Sequence, residues 1–87
     1  MTNMITIEIK DSALLNKGEA EVEIYCDSNG LDELKRQLGF LEKGETHIHL
    51  ASPSWAGNEL GQVAFGDGNV VVHQVTIVKI PAGGEPR

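Results

Sequence analysis

The chain has 87 residues, seven basic against thirteen acidic side chains for a net charge of −6, and 40% apolar content. That length holds one domain with a modest core, because so short a chain buries only about 60 to 65 percent of its unfolded surface. The single cysteine, Cys26, excludes an internal disulfide and a cysteine-based zinc site, and the whole acid excess sits in residues 8–33, where eight acids meet two bases.

An acidic field of that kind repels phosphate backbones, so nucleic acid is not an expected partner, while a basic protein would be steered toward it. The start Met1-Thr2-Asn3-Met4-Ile5 has no basic stretch followed by an apolar run, and no apolar run anywhere is long enough to span a bilayer. A soluble cytoplasmic chain with no membrane partner is expected.

Ile5, Ile7 and Ile9 alternate with Thr6, Glu8 and Lys10, the period-two pattern of a half-buried strand. Asn16-Lys17-Gly18-Glu19 turns the chain. Alternation resumes at Ala20, with Val22, Ile24 and Cys26 on one face and Glu21, Glu23 and Tyr25 on the other, so the two strands pair most simply as an antiparallel hairpin. Asp27, Ser28 and Asn29 are N-cap candidates for a helix over about Leu31–Leu41. Leu31, Leu34, Leu38 and Leu41 make one apolar stripe on it, Lys35, Arg36 and Gln37 face water, and Gly39 weakens its last turn before Lys43-Gly44.

Glu45–Ala51 is a third strand, with Ile48 and Leu50 on one face and His47 and His49 on the other, ended by Pro53. Residues 52–62 form a loop around Trp55, Gln62–Phe65 a short strand, and Gly66-Asp67-Gly68-Asn69 a turn. Val70–Ile80 is the longest strand, with Val71, His73, Val75 and Ile77 on its more apolar face. The order predicts one α+β domain over residues 1–80, an antiparallel sheet of four to five strands with one helix packed on one face, and a flexible tail at 81–87. Glu8, Glu21, Glu23, Tyr25, His47 and His49 then point to the uncovered face, left for solvent or a partner.

The chemistry in the chain is sparse. His47-x-His49 puts two imidazoles on one strand face, the way several β-rich metal sites begin, with Glu21 or Glu23 as third-ligand candidates; His73 falls on the opposite, inward side. A small divalent-metal-binding domain is therefore one alternative, and a homo-oligomeric module, a homodimer in the simplest case, is another. Cys26 faces inward with no cation beside it, as an inert core thiol. Ser52 and Ser54 lie near His49 without an orienting acid, and Gly66-x-Gly68 precedes a strand where a phosphate cradle needs a helix. No catalytic residue stands out, so neither an enzyme nor a cofactor is expected. Trp55 is either an exposed anchor for a partner or the plug that closes the core, and the plug is the commoner role in a small domain.

The run His47-Ile48-His49-Leu50, Ser52-Pro53, Trp55, Gly57 and Glu59-Leu60, followed by a strand that starts near Asn69-Val70 and contains His73, resembles the bacterial immunity protein 32 family. The resemblance covers about residues 45–80 and departs from the pattern at Ala56-Gly57, where Gly-Gly is expected. It implies a small protein that binds and neutralises a cognate polymorphic toxin by stoichiometric contact; toxins of this kind are often basic nucleases, to which an acidic inhibitor is complementary. On that reading the partner surface is the open sheet face of Glu8, Glu21, Glu23, Tyr25, His47 and His49, with the Trp55 loop.

Overall fold

The computed structural model describes residues 4–81; the expected tail lies, from residue 82 on, outside them. Strand β1 (Ile5–Lys10) pairs antiparallel with β2 (Glu21–Cys26) from Ile5 opposite Cys26 to Lys10 opposite Glu21, as the alternation predicts. Their connection is more ordered than a simple turn: a 3-10 segment over Ser12–Lys17 closes at Gly18, whose N–H donates to the carbonyls of Leu14 and Leu15.

Helix α1 (Ser28–Glu42) starts three residues before the leucine pattern implies, because Asp27 caps it. The Asp27 carboxylate accepts from the Gly30 N–H at 2.6 Å and from the Met4 N–H at 3.3 Å. One side chain thus satisfies an orphan donor of the helix and ties it to the head of β1. Gly30 is buried there, and a Cβ at this position would lie 1.8 Å from the Met4 carbonyl oxygen. The close approach of helix to strand depends on that missing side chain.

The domain is α+β, with one principal helix and five antiparallel strands, and the strands divide between two sheets. β1 is central in a three-stranded sheet ordered β2-β1-β4, where β4 is Val70–Val72, and a second sheet pairs β3 (His47–Ala51) with β5 (Gln74–Val78). The long last strand expected over Val70–Ile80 is broken at His73, where the chain leaves β1 and joins β3. The break shifts the alternation by one: Val72 before it and Val75 after it both pack on the core. Ser52 holds the joint, its N–H donating to the His73 carbonyl at 2.9 Å and its hydroxyl bonded to His73 Nδ1 at 2.7 Å.

The core is Ile5, Ile7, Leu50 and Leu60, with Leu34, Val72 and Val75 packed against it. The helix covers only part of the apolar face of the three-stranded sheet. Val22, Ile24 and Cys26, expected inward, are exposed on the edge strand β2, and Leu31 and Leu38 are exposed at the margins of α1. Gln62–Phe65 forms no strand and runs as a covering segment over β1. Among the described residues no helix is long and apolar enough to cross a membrane.

The contact at Gly30 makes Gly30→Ala destabilising by about 1–3 kcal/mol through overpacking against fixed backbone. Gly39→Ala, with nothing within 4 Å of the added methyl, should instead be stabilising by up to about 1 kcal/mol from helix propensity. Urea unfolding of the two variants measures both, and equal stability of the Gly30→Ala and natural chains would refute the packing account.

Candidate functional site

Glu8 was expected to point into solvent from the open face of β1. It is instead fully buried, so it is withdrawn from any partner surface. Its carboxylate accepts four kinds of donor: the Thr6 hydroxyl at 2.7 Å, the Phe65 N–H at 2.9 Å, the Gly66 N–H at 3.0 Å and the Asn69 amide at 2.9 Å. Burial pushes the carboxyl upward, but the Phe65, Thr6, Asn69 and Gly66 hydrogen bonds outweigh it and hold the group down at about 2. An ionised carboxylate inside the fold, fully bonded, clamps the 65–69 turn to the sheet.

Three of the sequence-predicted residues meet at this clamp. Glu23 accepts from the same Asn69 amide at 3.0 Å and from the Tyr25 hydroxyl at 2.9 Å. Those bonds hold the Glu23 carboxyl below its ordinary value, and the bond to Glu23 raises the Tyr25 phenol. The Tyr25 ring stacks on Phe65 with centroids 5.8 Å apart. Glu21, one step along β2, stays exposed. Phe65, Gly66 and Asn69 complete the arrangement and were not legible as site residues beforehand, although the turn that contains Gly66 and Asn69 was. A Cβ at Gly66 would lie 2.0 Å from the Asn69 amide nitrogen, so a larger residue there would push the Asn69 side chain out of its place in the clamp.

His47 and His49 belong to the other sheet, so the single open face expected from the sequence is two separate surfaces. Both imidazoles are exposed on the outer side of β3, where His47 stands opposite Val78 and His49 opposite Thr76. Their rings meet edge to face with centroids 5.0 Å apart. Trp55, expected as a core plug, is 61% exposed. It closes a 3-10 turn over Pro53–Trp55 whose backbone is fixed by bonds from the Trp55 and Gly57 N–H groups to the Ser52 carbonyl and from Ala56 N–H to Pro53. The indole lines a shallow concavity with Val72, His73, Gln74 and Thr76.

A larger open groove, of about 740 Å³, runs between α1 and the 58–65 segment, with Glu33 and Arg36 on one wall and Leu60, Val63 and Phe65 on the other. Glu33 is held below its ordinary range by its bonds to Arg36 and Gln37, so the opposite charges on the helix wall of the groove pair with each other. Ser52 and His73 form the close serine-histidine contact of the described residues, and Ser52 is fully buried, which keeps its hydroxyl from a substrate. Ser54 bonds to Gln62 on the surface. The sequence matches no protein-family model, and no curated protein or solved structure is significantly similar to it.

Because the folded Glu8 carboxyl sits below its ordinary 4.5, the stability it contributes is complete above that pH and fades as the pH falls toward about 2. Glu8→Gln, which turns an amide toward N–H donors, should lower the denaturation midpoint at neutral pH and give a shallower loss of stability between pH 4.5 and about 2. Some slope remains, since Glu23 and Glu33 are also held low. Glu21→Gln on the exposed face should stay within about 0.5 kcal/mol of the natural chain. Parallel acid profiles for Glu8→Gln and the natural chain would contradict the clamp.

Proposed function

We propose that this chain is a binding protein that captures another protein in a stoichiometric complex, in the manner of an immunity protein that neutralises a toxin. The observation that carries the reading is Trp55: large, exposed, and held on a backbone turn that needs no ordering on contact. Tryptophan dominates interface energies when it is presented in this way. Around it, His49, Thr76 and Gln74 offer a polar rim on the face of the β3–β5 sheet.

Charge supports the same reading and gives it a partner chemistry. Glu8 and Glu23 are engaged in the clamp, but Asp11, Glu19, Glu21 and Asp32 remain exposed in the acidic third of the chain. They steer a basic partner, a nuclease-like toxin domain being the kind the family resemblance implies. The contact surface in this reading is Trp55 with His47 and His49, the edge residue Glu21 acts through the field, and Tyr25 acts by holding Phe65 in place. No catalytic step enters: inhibition follows from occlusion of the partner's working surface.

The test begins with the neighbouring gene, where this reading expects a toxin with a variable C-terminal domain, and continues with titration of the purified chain against that domain; a neighbour of another kind counts against the reading. Trp55→Ala, which opens no cavity in the core, should weaken the complex about 30-fold, the equivalent of about 2 kcal/mol. Glu19→Lys with Glu21→Lys should slow association and flatten its dependence on salt, with dissociation little changed. Affinity and association rate equal to those of the natural chain in both variants would remove this reading.

A further inference from the structure

We propose that His47 and His49 form a bidentate chelate for a borderline divalent transition ion, Zn²⁺ or Ni²⁺ in chemical class, on the outer face of the β3–β5 sheet. Residues two apart on a strand project from the same side, and both rings are exposed there. Their centroids lie 5.0 Å apart. Two imidazoles that share one ion at N–metal distances of about 2.0–2.1 Å, with a near-tetrahedral angle between them, set their ring centroids roughly 5 Å apart. The pair is already spaced for the ion.

The surrounding hydroxyls orient the rings. His49 Nδ1 is bonded to Thr76 Oγ1 at 2.9 Å and His47 Nδ1 to Thr46 Oγ1 at 3.1 Å. When each Nδ1–H donates to its threonine oxygen, Nε2 carries the free lone pair, and outer-shell bonds of this type fix the tautomer and ring orientation of metal-binding histidines. The Gln74 amide approaches His49 Nδ1 only at 3.5 Å, too long to compete with Thr76. Each ring thus has a threonine hydroxyl at Nδ1, from the preceding residue at His47 and from the paired strand at His49.

The donor set defines the ion. Two neutral imidazoles suit zinc, nickel and copper, whereas calcium and magnesium require oxygen ligands. Among the described residues no group of three or more histidine, cysteine or carboxylate side chains comes together. The remaining coordination positions therefore belong to water or to a donor from another molecule. The site rests on ring geometry alone and is independent of the protein-capture reading, because its test involves no partner.

The experiment uses the full chain, free of any affinity tag and in a Cys26→Ser background so that the exposed thiol does not compete. Zn²⁺ is titrated in by calorimetry while the histidine ring signals are followed by NMR. The expected result is saturable binding of one ion per chain, with the His47 and His49 signals moving together and that of His73 unchanged. His47→Ala and His49→Ala should each abolish saturable binding, and Thr76→Val should weaken it about 10-fold while the far-UV spectrum stays native. Absence of saturable binding, binding that survives both alanine variants, or a response confined to His73 would overturn the proposal.

Discussion

The ionised carboxylate of Glu8, buried in the central strand, is the interaction on which the rest of the structure depends. A charge taken out of water is tolerated only when its lone pairs are filled. Here they are filled by donors from three places in the chain: Thr6 on the same strand, the backbone of Phe65 and Gly66, and the Asn69 side chain. A segment with no secondary structure of its own is thereby given a fixed path. That path covers Thr6 and Glu8 on one side of β1 while Ile5 and Ile7 pack on the other.

Much else follows from fixing that segment. Leu60, at its start, enters the core, and the Gly61 N–H donates to the Ile5 carbonyl at 2.7 Å. Asn69, at its end, bridges Glu8 to Glu23 and leads directly into β4. With four buried apolar side chains in the central cluster of the described residues, the domain relies on this polar network to specify a single arrangement. Asp27 does a related job at the opposite end of β1, joining helix and strand through one carboxylate. Three acids of the negatively charged third of the chain, Glu8, Glu23 and Asp27, are thus structural, and one of them, Glu8, is withdrawn from the surface.

The sequence made the hairpin, the helix, the third strand and the α+β class legible, because each carries a period that survives in isolation. What it hid has physical causes. Alternation treats a carboxylate as a solvent marker, so Glu8 could not be told from Glu21, although one lies on a central strand and the other on an edge. The signal that distinguishes them is distant in sequence, a Gly-Asp-Gly-Asn turn that brings donors back to β1. The break at His73 was invisible for a similar reason: Val70 to Val72 is apolar in either phase, and the Ser52 contact that holds the joint is distant in sequence. Residue type alone left Trp55 open between a core plug and an exposed anchor; the structure leaves it 61% exposed, while Leu60 enters the core.

The separation of the two surfaces reshapes the functional picture. The clamp of Glu8, Glu23, Tyr25 and Asn69 builds the scaffold, and in the proposed reading contact falls to Trp55 and the histidine face of the second sheet. The chain passes between the two sheets three times, through α1, through residues 52–69 and directly at His73, so the scaffold sets where the β3–β5 face stands. The account is tested most directly by an NMR pH titration of the Glu8 side-chain carboxyl carbon in the natural chain. It predicts a midpoint at about 2, well below the ordinary 4.5, with the Phe65 and Gly66 amide signals shifting in the same transition. A midpoint near 4.5 with those amides unaffected would contradict it.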